Sequence, residues 1–197
     1  MTESNDRPLE DCEVLLCVTG GIACYKSADL ASKLVQAGAG VTVAMTDAAK
    51  QFIAPLTFQT LTARPVYTSM WQSSEDYRSQ HISLTELADL MIVAPATANV
   101  IGKMAAGIAD DLVSTLALSA SGACPVLIAP AMNERMWSAA AVRDNMSCLK
   151  SRSVHTVGPV EGYLACGAVG MGRMAEPAEI LQAAKELLLI QRPKALT

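Results

Sequence analysis

The stretch Leu90–Val100, LMIVAPATANV, decides the fold, and Val126–Arg135, VLIAPAMNER, repeats its logic. Each is a short apolar run that stops at Ala-Pro-Ala and then presents an asparagine, Asn99 or Asn133. The runs are too short for ordinary helices and rich in Ile, Val and Leu, which predicts strands covered on both faces. Proline has no N–H for a ladder, so each strand is expected to end there. In an open α/β sheet, ligands bind beyond the carboxyl ends of the strands. Two such ends carrying polar groups predict a site.

Working outward, Glu13–Thr19 reads as a first strand, followed by Gly20-Gly21 and a helix from Ile22 to Ala37. Leu30, Ala31 and Leu34 fall on one helical stripe, and Gly38 is a natural C-cap. Val41–Met45 is the next strand, which makes a βαβ unit with a parallel sheet. Helices are expected at Ala48–Ile53, from Pro55 to Leu61, and at Ile82–Ala88, Thr97–Ala106, Asp110–Ser119, Ser138–Leu149 and Ala178–Leu189. Short strands are expected at Arg64–Tyr67 and Val154–Val157. Met1–Asp11 is expected to fray. Ser69–Gln80 reads as a polar surface loop, and Gly158–Arg173, with five glycines, as a loop or flap. No domain boundary interrupts residues 1–197.

The chain has 197 residues, enough for one α/β domain with a full core. It is 51% hydrophobic and only 17% charged, with mean hydropathy +0.30. A surface so poor in charge points to burial against copies of itself. Net charge is −4, without basic runs, which argues against nucleic-acid binding. No apolar stretch approaches a membrane span and no signal-peptide core is present, so a cytoplasmic protein is expected. Six scattered cysteines without C-x-x-C spacing read as free thiols. With two histidines, no metal site follows, and no G-x-S-x-G elbow supports a serine hydrolase.

The chemistry gathers at the strand ends. Gly20-Gly21 lets backbone N–H groups approach an anion at a helix N-terminus. Thr46 ends the second strand with a hydroxyl at the same edge, and Thr97, Ala98 and Asn99 open a helix there. Three helix starts on one rim suit one phosphate and a polar ring system. That is the shape of a flavin mononucleotide rather than a dinucleotide, because no acidic ribose clamp ends strand two. His81 is a usable acid or base near neutral pH, or a structural histidine. Asn133 suits a carboxylate, or a helix cap. Cys166, in the glycine-rich flap, is the one cysteine that fits no core element. Arg173 suits a phosphate or carboxylate, or is a surface charge. His155, in a strand pattern, reads as structural.

Thr19-Gly-Gly-Ile-Ala23, His81-Ile-Ser-Leu84, Pro95-Ala-Thr-Ala-Asn99, Ala109-Asp-Asp-Leu112, Pro130-Ala-Met-Asn133 and Ala165-Cys-Gly with Gly170-Met-Gly-Arg-Met174 occur in this order. Together they resemble the flavin-containing cysteine decarboxylases, over Val14 to Leu187. Each motif is weak; six in register are specific. The resemblance implies a flavodoxin-like, Rossmann-like three-layer sandwich, bound FMN at subunit contacts, and a homotrimer or a dodecamer built from it. It implies His81 and Cys166 as catalytic residues, Cys166 as the acid on a substrate flap spanning 158–174. Asn133, Met132 and Arg173 would bind substrate. Gly21, Ile22, Ala23, Thr46, Thr97, Ala98, Asn99 and Met132 would line the FMN.

The implied reaction is decarboxylation of phosphopantothenoylcysteine in coenzyme A synthesis. Oxidation of the thiol to a thioaldehyde places the carboxylate β to C=S, so carbon dioxide leaves to give an ene-thiol, which is then reduced. Decarboxylation of a peptide's C-terminal cysteine, or a regulatory flavoprotein subunit, are the rival readings. Many family members carry Ser where this chain has Thr97, and Thr where it has Val100. Thr97 keeps the hydroxyl; Val100 loses one.

Overall fold

A computed structural model describes residues 7–71, 80–165 and 167–190, with only the backbone described at 80 and 81. In chain order the elements are β1 (Glu13–Val18), α1 (Cys24–Gln36), β2 (Gly40–Met45), α2 (Pro55–Thr62), β3 (Val66–Tyr67), α3 (Gln80–Leu87), β4 (Leu90–Ala96), α4 (Ala98–Ala106), α5 (Leu112–Ser119), β5 (Val126–Pro130), α6 (Glu134–Trp137), α7 (Ala140–Ser151), β6 (His155–Thr156), β7 (Val160–Tyr163), β8 (Val169–Arg173) and α8 (Pro177–Ile190). The first six strands form one parallel sheet in the order β3-β2-β1-β4-β5-β6. Without the two-residue edge strand β3, that is the flavodoxin-like order. The expected three-layer sandwich is therefore present.

Alternating strand residues feed two cores. Leu16, Val18, Ile92 and Ala94 pack with Leu30 and Leu34 of α1, Phe58 of α2 and Ile180 of α8. Leu15, Cys17, Met91 and Val93 pack with Ile101 of α4, Val113 and Leu116 of α5 and Leu149 of α7. Both faces of β1, β4 and β5 are covered, as their continuous apolar runs require.

Several expectations need correction. Pro130 ends β5 as expected, but Pro95 does not end its strand: β4 runs through Pro95 to Ala96. The missing N–H shows instead as a register shift between Val93 and Ala96. That irregularity re-aims Ala96 into the core of Met91 and Val93, although Ile92 and Ala94 share its parity and face the other way. Of the tail expected to fray, residues 1–6 lie outside the described set, and residues 7–11 are packed, because Leu9 is buried and its N–H donates to Ala37 O. Ala48–Ile53 contains only a 3₁₀ turn at Ala49–Gln51. The Gly158–Arg173 segment is an antiparallel hairpin, β7–β8, rather than a loop. Helix α6 was not anticipated. Of the polar loop Ser69–Gln80, residues 72–79 lie outside the described set. Cys12, Cys17 and Cys24 are buried free thiols, and Cys124 and Cys148 are half-buried.

Candidate functional site

Strand order reverses between β1 and β4, and neighbouring strand ends diverge there. The first residues past those ends are Thr19 and Thr97. Thr19 Oγ1 donates to Pro95 O at 2.6 Å and lies 3.3 Å from Thr97 Oγ1. The Thr97 N–H donates back to Thr19 Oγ1. Thr97 then caps α4, its hydroxyl accepting the Val100 N–H. These two threonines weld the crevice floor, and the N-termini of α1 and α4 open on either side of it.

Above this floor lies a cavity of about 1150 Å³. It brings together Gly21, Ile22, Ala23, Thr46, Thr97, Ala98, Asn99, Met132, Asn133 and Arg173, every expected lining residue with a described side chain. Gly20 faces Ala48 so closely that an added Cβ would overlap it, so the loop must be glycine there. Thr46 Oγ1 accepts the Ala49 N–H and holds the turn after β2 against the rim. Asn133 caps α6, its Oδ1 accepting the Arg135 N–H at 2.9 Å. The cap reading of this residue therefore holds, and the same residue lines the cavity.

Charge in the cavity wall is balanced locally. Lys26, buried on α1, donates from Nζ to Met174 O at 3.1 Å and Glu176 Oε1 at 2.9 Å. Arg173 pairs with the same Glu176 carboxylate. These two cations hold the Glu176 carboxyl below the usual carboxylate range, Lys26 contributing most. Lys103 pairs with Asp110 at 2.7 Å and Asp111 at 2.6 Å, which pushes its ammonium pKa up and lowers that of Asp110. Asp29 and Asp47 pair with Lys33 and Lys50. Among the described residues, every charged side chain lining the cavity is therefore in an ion pair. An anion entering it finds helix N-termini, backbone N–H groups and threonine hydroxyls rather than an open cation. That donor set fits a phosphate-bearing planar cofactor, and the volume admits one.

The hairpin roofs one side. Its inward residues are Gly162, Gly170 and Gly172, and a Cβ at the last two would overlap Glu134 and Met132 O. Gly172 has φ +139°, and its carbonyl accepts the Met132 N–H at 2.9 Å. Tyr163, Leu164 and Ala165 line the cavity beside the hairpin tip. Cys166, next in sequence, lies outside the described residues. His81 is the second residue of α3, and no described residue of α3 lines the cavity. His155 begins β6 and is exposed, not in the sheet interior. Arg173 does line the cavity, yet its guanidinium is committed to Glu176.

Sequence reasoning missed Lys26, Lys103 and Asp111 as lining residues. Their charges read as surface positions, and only the fold shows that their partners lie across the cavity wall. Thr19 was quoted within a motif but not assigned; its position one residue past β1 was the available signal.

The Flavoprotein family matches residues 2–189. The bifunctional coenzyme A biosynthesis protein CoaBC of Bacillus subtilis is 52% identical over 178 residues, covering 90% of this chain and 43% of that protein. The chain thus spans less than half the length of such bifunctional relatives. A probable phosphopantothenoylcysteine decarboxylase of Streptococcus mutans is 41% identical, covering 89% of this chain and 98% of its own. Among solved structures, a cysteine-to-serine mutant of PPC decarboxylase complexed with pantothenoylaminoethenethiol matches with TM-score 0.80 and 28% identity, covering 89% of this chain and 97% of that one. The FMN binding protein AtHal3 matches with TM-score 0.79 and 27% identity, covering 95% and 100%.

Proposed function

This chain belongs to the Flavoprotein family, and from that premise we propose that it binds FMN in the switch-point cavity and decarboxylates phosphopantothenoylcysteine in coenzyme A biosynthesis. The observation that carries the reading is the assembly of Gly21–Ala23, Thr46 and Thr97–Asn99 in one wall with Met132 and Asn133, under the hairpin that leads to Cys166. The names of the relatives support the pathway, and the solved complex supports the substrate class.

The backbone N–H groups at the starts of α1 and α4, with the hydroxyls of Thr46 and Thr97, hold the cofactor's phosphate and polar edge. Bound FMN supplies an acceptor and donor of an electron pair, which no side chain here provides. The Asn133 amide donates to the substrate carboxylate while its Oδ1 stays on the α6 cap, so the cap fixes its orientation. The hairpin shields the reacting carbons from water. Cys166, next in sequence to Ala165, gives the proton that completes the product, and His81 acts as the acid or base for the thiol.

With the FMN site at a subunit contact, as the family resemblance implies, His81 serves the cavity of a neighbouring copy in a homotrimer or dodecamer. The exposed Ile22 and Tyr25, which line the cavity, and the exposed Phe52 and Leu56 supply apolar surface for that contact. No helix among the described residues is long and apolar enough to cross a membrane; the proposed pathway supports a cytoplasmic enzyme.

The test is the visible spectrum of the purified chain followed by carbon dioxide release. Flavin bands with turnover of phosphopantothenoylcysteine are expected. Flavin with turnover only of a peptide ending in cysteine would replace this substrate, and a protein that cannot be loaded with FMN would overturn the reading.

A further inference from the structure

A second cavity, of about 340 Å³, lies between α4, α5 and the corner where α7 meets β6. Met104, Ile108, Leu118, Leu149 and Val154 give it an apolar wall. Its ionisable lining groups include Lys103, Arg152 and His155, and no Asp or Glu among the described residues lines it. Lys103 is already paired with Asp110 and Asp111, so the positive charge offered to a ligand is that of Arg152. Arg152 is held at the edge, where Nη1 donates to Ala105 O at 2.9 Å and the rest of the guanidinium fork is available to a ligand.

The two cavities share a wall. Lys103 lines both. Asp111 lines the first and Ser114 the second. Those two residues form one capping box at the start of α5, with the Ser114 N–H donating to Asp111 Oδ1 at 2.8 Å and the Asp111 N–H donating to Ser114 Oγ at 3.1 Å. Lys103 Nζ closes the cluster on Asp111 Oδ2 at 2.6 Å.

We propose that the second cavity binds a small amphipathic anion, an acyl or aryl carboxylate, and that this binding is coupled to the first cavity through Lys103 and Asp111. The volume lies at the lower end of small-molecule sites. The apolar wall takes the hydrocarbon body, and Arg152 with His155 takes the carboxylate by charge-assisted hydrogen bonds. An anion there also attracts the Lys103 ammonium, which loosens its grip on Asp111 in the first cavity. Linkage makes the effect reciprocal, so an occupied first cavity changes affinity for the anion by the same factor. The binding claim stands apart from the proposed reaction; the coupling claim rests on FMN occupying the first cavity.

Octanoate is the probe, measured by equilibrium dialysis against the flavin-loaded full chain. One saturable site per chain is expected. Octanamide, its neutral isostere, should bind at least about tenfold more weakly, and Arg152→Ala should weaken octanoate by a similar factor. Leu118→Glu, at a half-exposed wall position, should abolish binding, with circular dichroism confirming that both variants fold. Saturating octanoate should change the FMN dissociation constant of the parent chain and not that of Leu118→Glu. No saturable binding, equal affinity for octanamide, indifference to both substitutions, or simple competition with FMN would each overturn the site. Binding with an unchanged FMN constant would overturn the coupling.

Discussion

The floor of the cavity and its roof are built by opposite means. The floor is the meeting of β1 and β4, covered on both faces, with Thr19 and Thr97 hydrogen-bonded to each other and to backbone. The roof is a two-stranded hairpin whose inner face is glycine, packed on α6 at Gly170, joined to the segment before α6 by the Met132 N–H bond to Gly172 O, and anchored at its base by Lys26, Glu176 and Arg173. The floor's position follows from burying the sheet; the roof's follows from a few polar contacts and from the absence of side chains. A floor of that kind suits retention of a cofactor. A roof of that kind suits a segment that meets substrate and can adjust over it.

The largest effect should come from the roof's chemistry. Cys166→Ser should lower turnover by about 10²–10⁴-fold, the range for loss of a general acid, while flavin content stays at the parent level. Parallel loss of flavin would place Cys166 among the groups that hold the cofactor and would erase the contrast. Gly172→Ala comes next. It combines φ +139° with overlap of Met132 O, at a cost of about 1–3 kcal/mol. Calorimetry should show that loss of stability, and kinetics a fall in turnover of about tenfold or more, with flavin still bound. Unchanged kinetics would mean that the hairpin can lift from α6 without consequence.

What could be read beforehand divides along the same line. The floor was legible because burial on both faces writes a continuous apolar run, as in Leu90–Val93, and because glycines or polar residues stand within a few positions of each strand's end. The lining residues at Gly21, Thr46, Thr97 and Asn133 follow from that rule. The roof was not legible as a hairpin, since glycines that permit close backbone approach look the same in sequence as glycines that permit disorder. Only the positions of Glu134 and Met132 show why Gly170 and Gly172 lack side chains. The continuation of β4 through Pro95 was missed for a different reason. Proline forfeits one ladder bond, and the strand absorbs that loss as a register shift rather than an end.

On the floor, Thr97→Ala removes the α4 cap and one partner of Thr19. Loss of a threonine N-cap costs about 1 kcal/mol, so denaturant melts should show a shift of that size, accompanied by weaker FMN retention on dialysis. A stability loss with FMN retention unchanged would assign Thr97 to the scaffold alone and leave cofactor binding to the backbone of α1 and α4.

The smallest effect, and the finest test of the contrast, is the pH dependence of the roof's anchor. Lys26 and then Arg173 lower the Glu176 carboxyl pKa in the folded chain. A carboxyl that is more acidic folded than unfolded contributes stability above the ordinary carboxylate range and loses it as pH falls through the lowered value. The Glu176 side chain is 43% exposed, so solvent screening keeps that contribution small. In Glu176→Gln, the amide oxygen still accepts from Lys26 but carries no charge. The melting temperature of this variant should therefore lie slightly below that of the parent near neutral pH, and the gap should close as the solution is acidified below the carboxylate range. Flavin content should stay level throughout, because the floor does not depend on this anchor. A gap that persists at low pH would show that Glu176 acts by shape and hydrogen bonding rather than by charge.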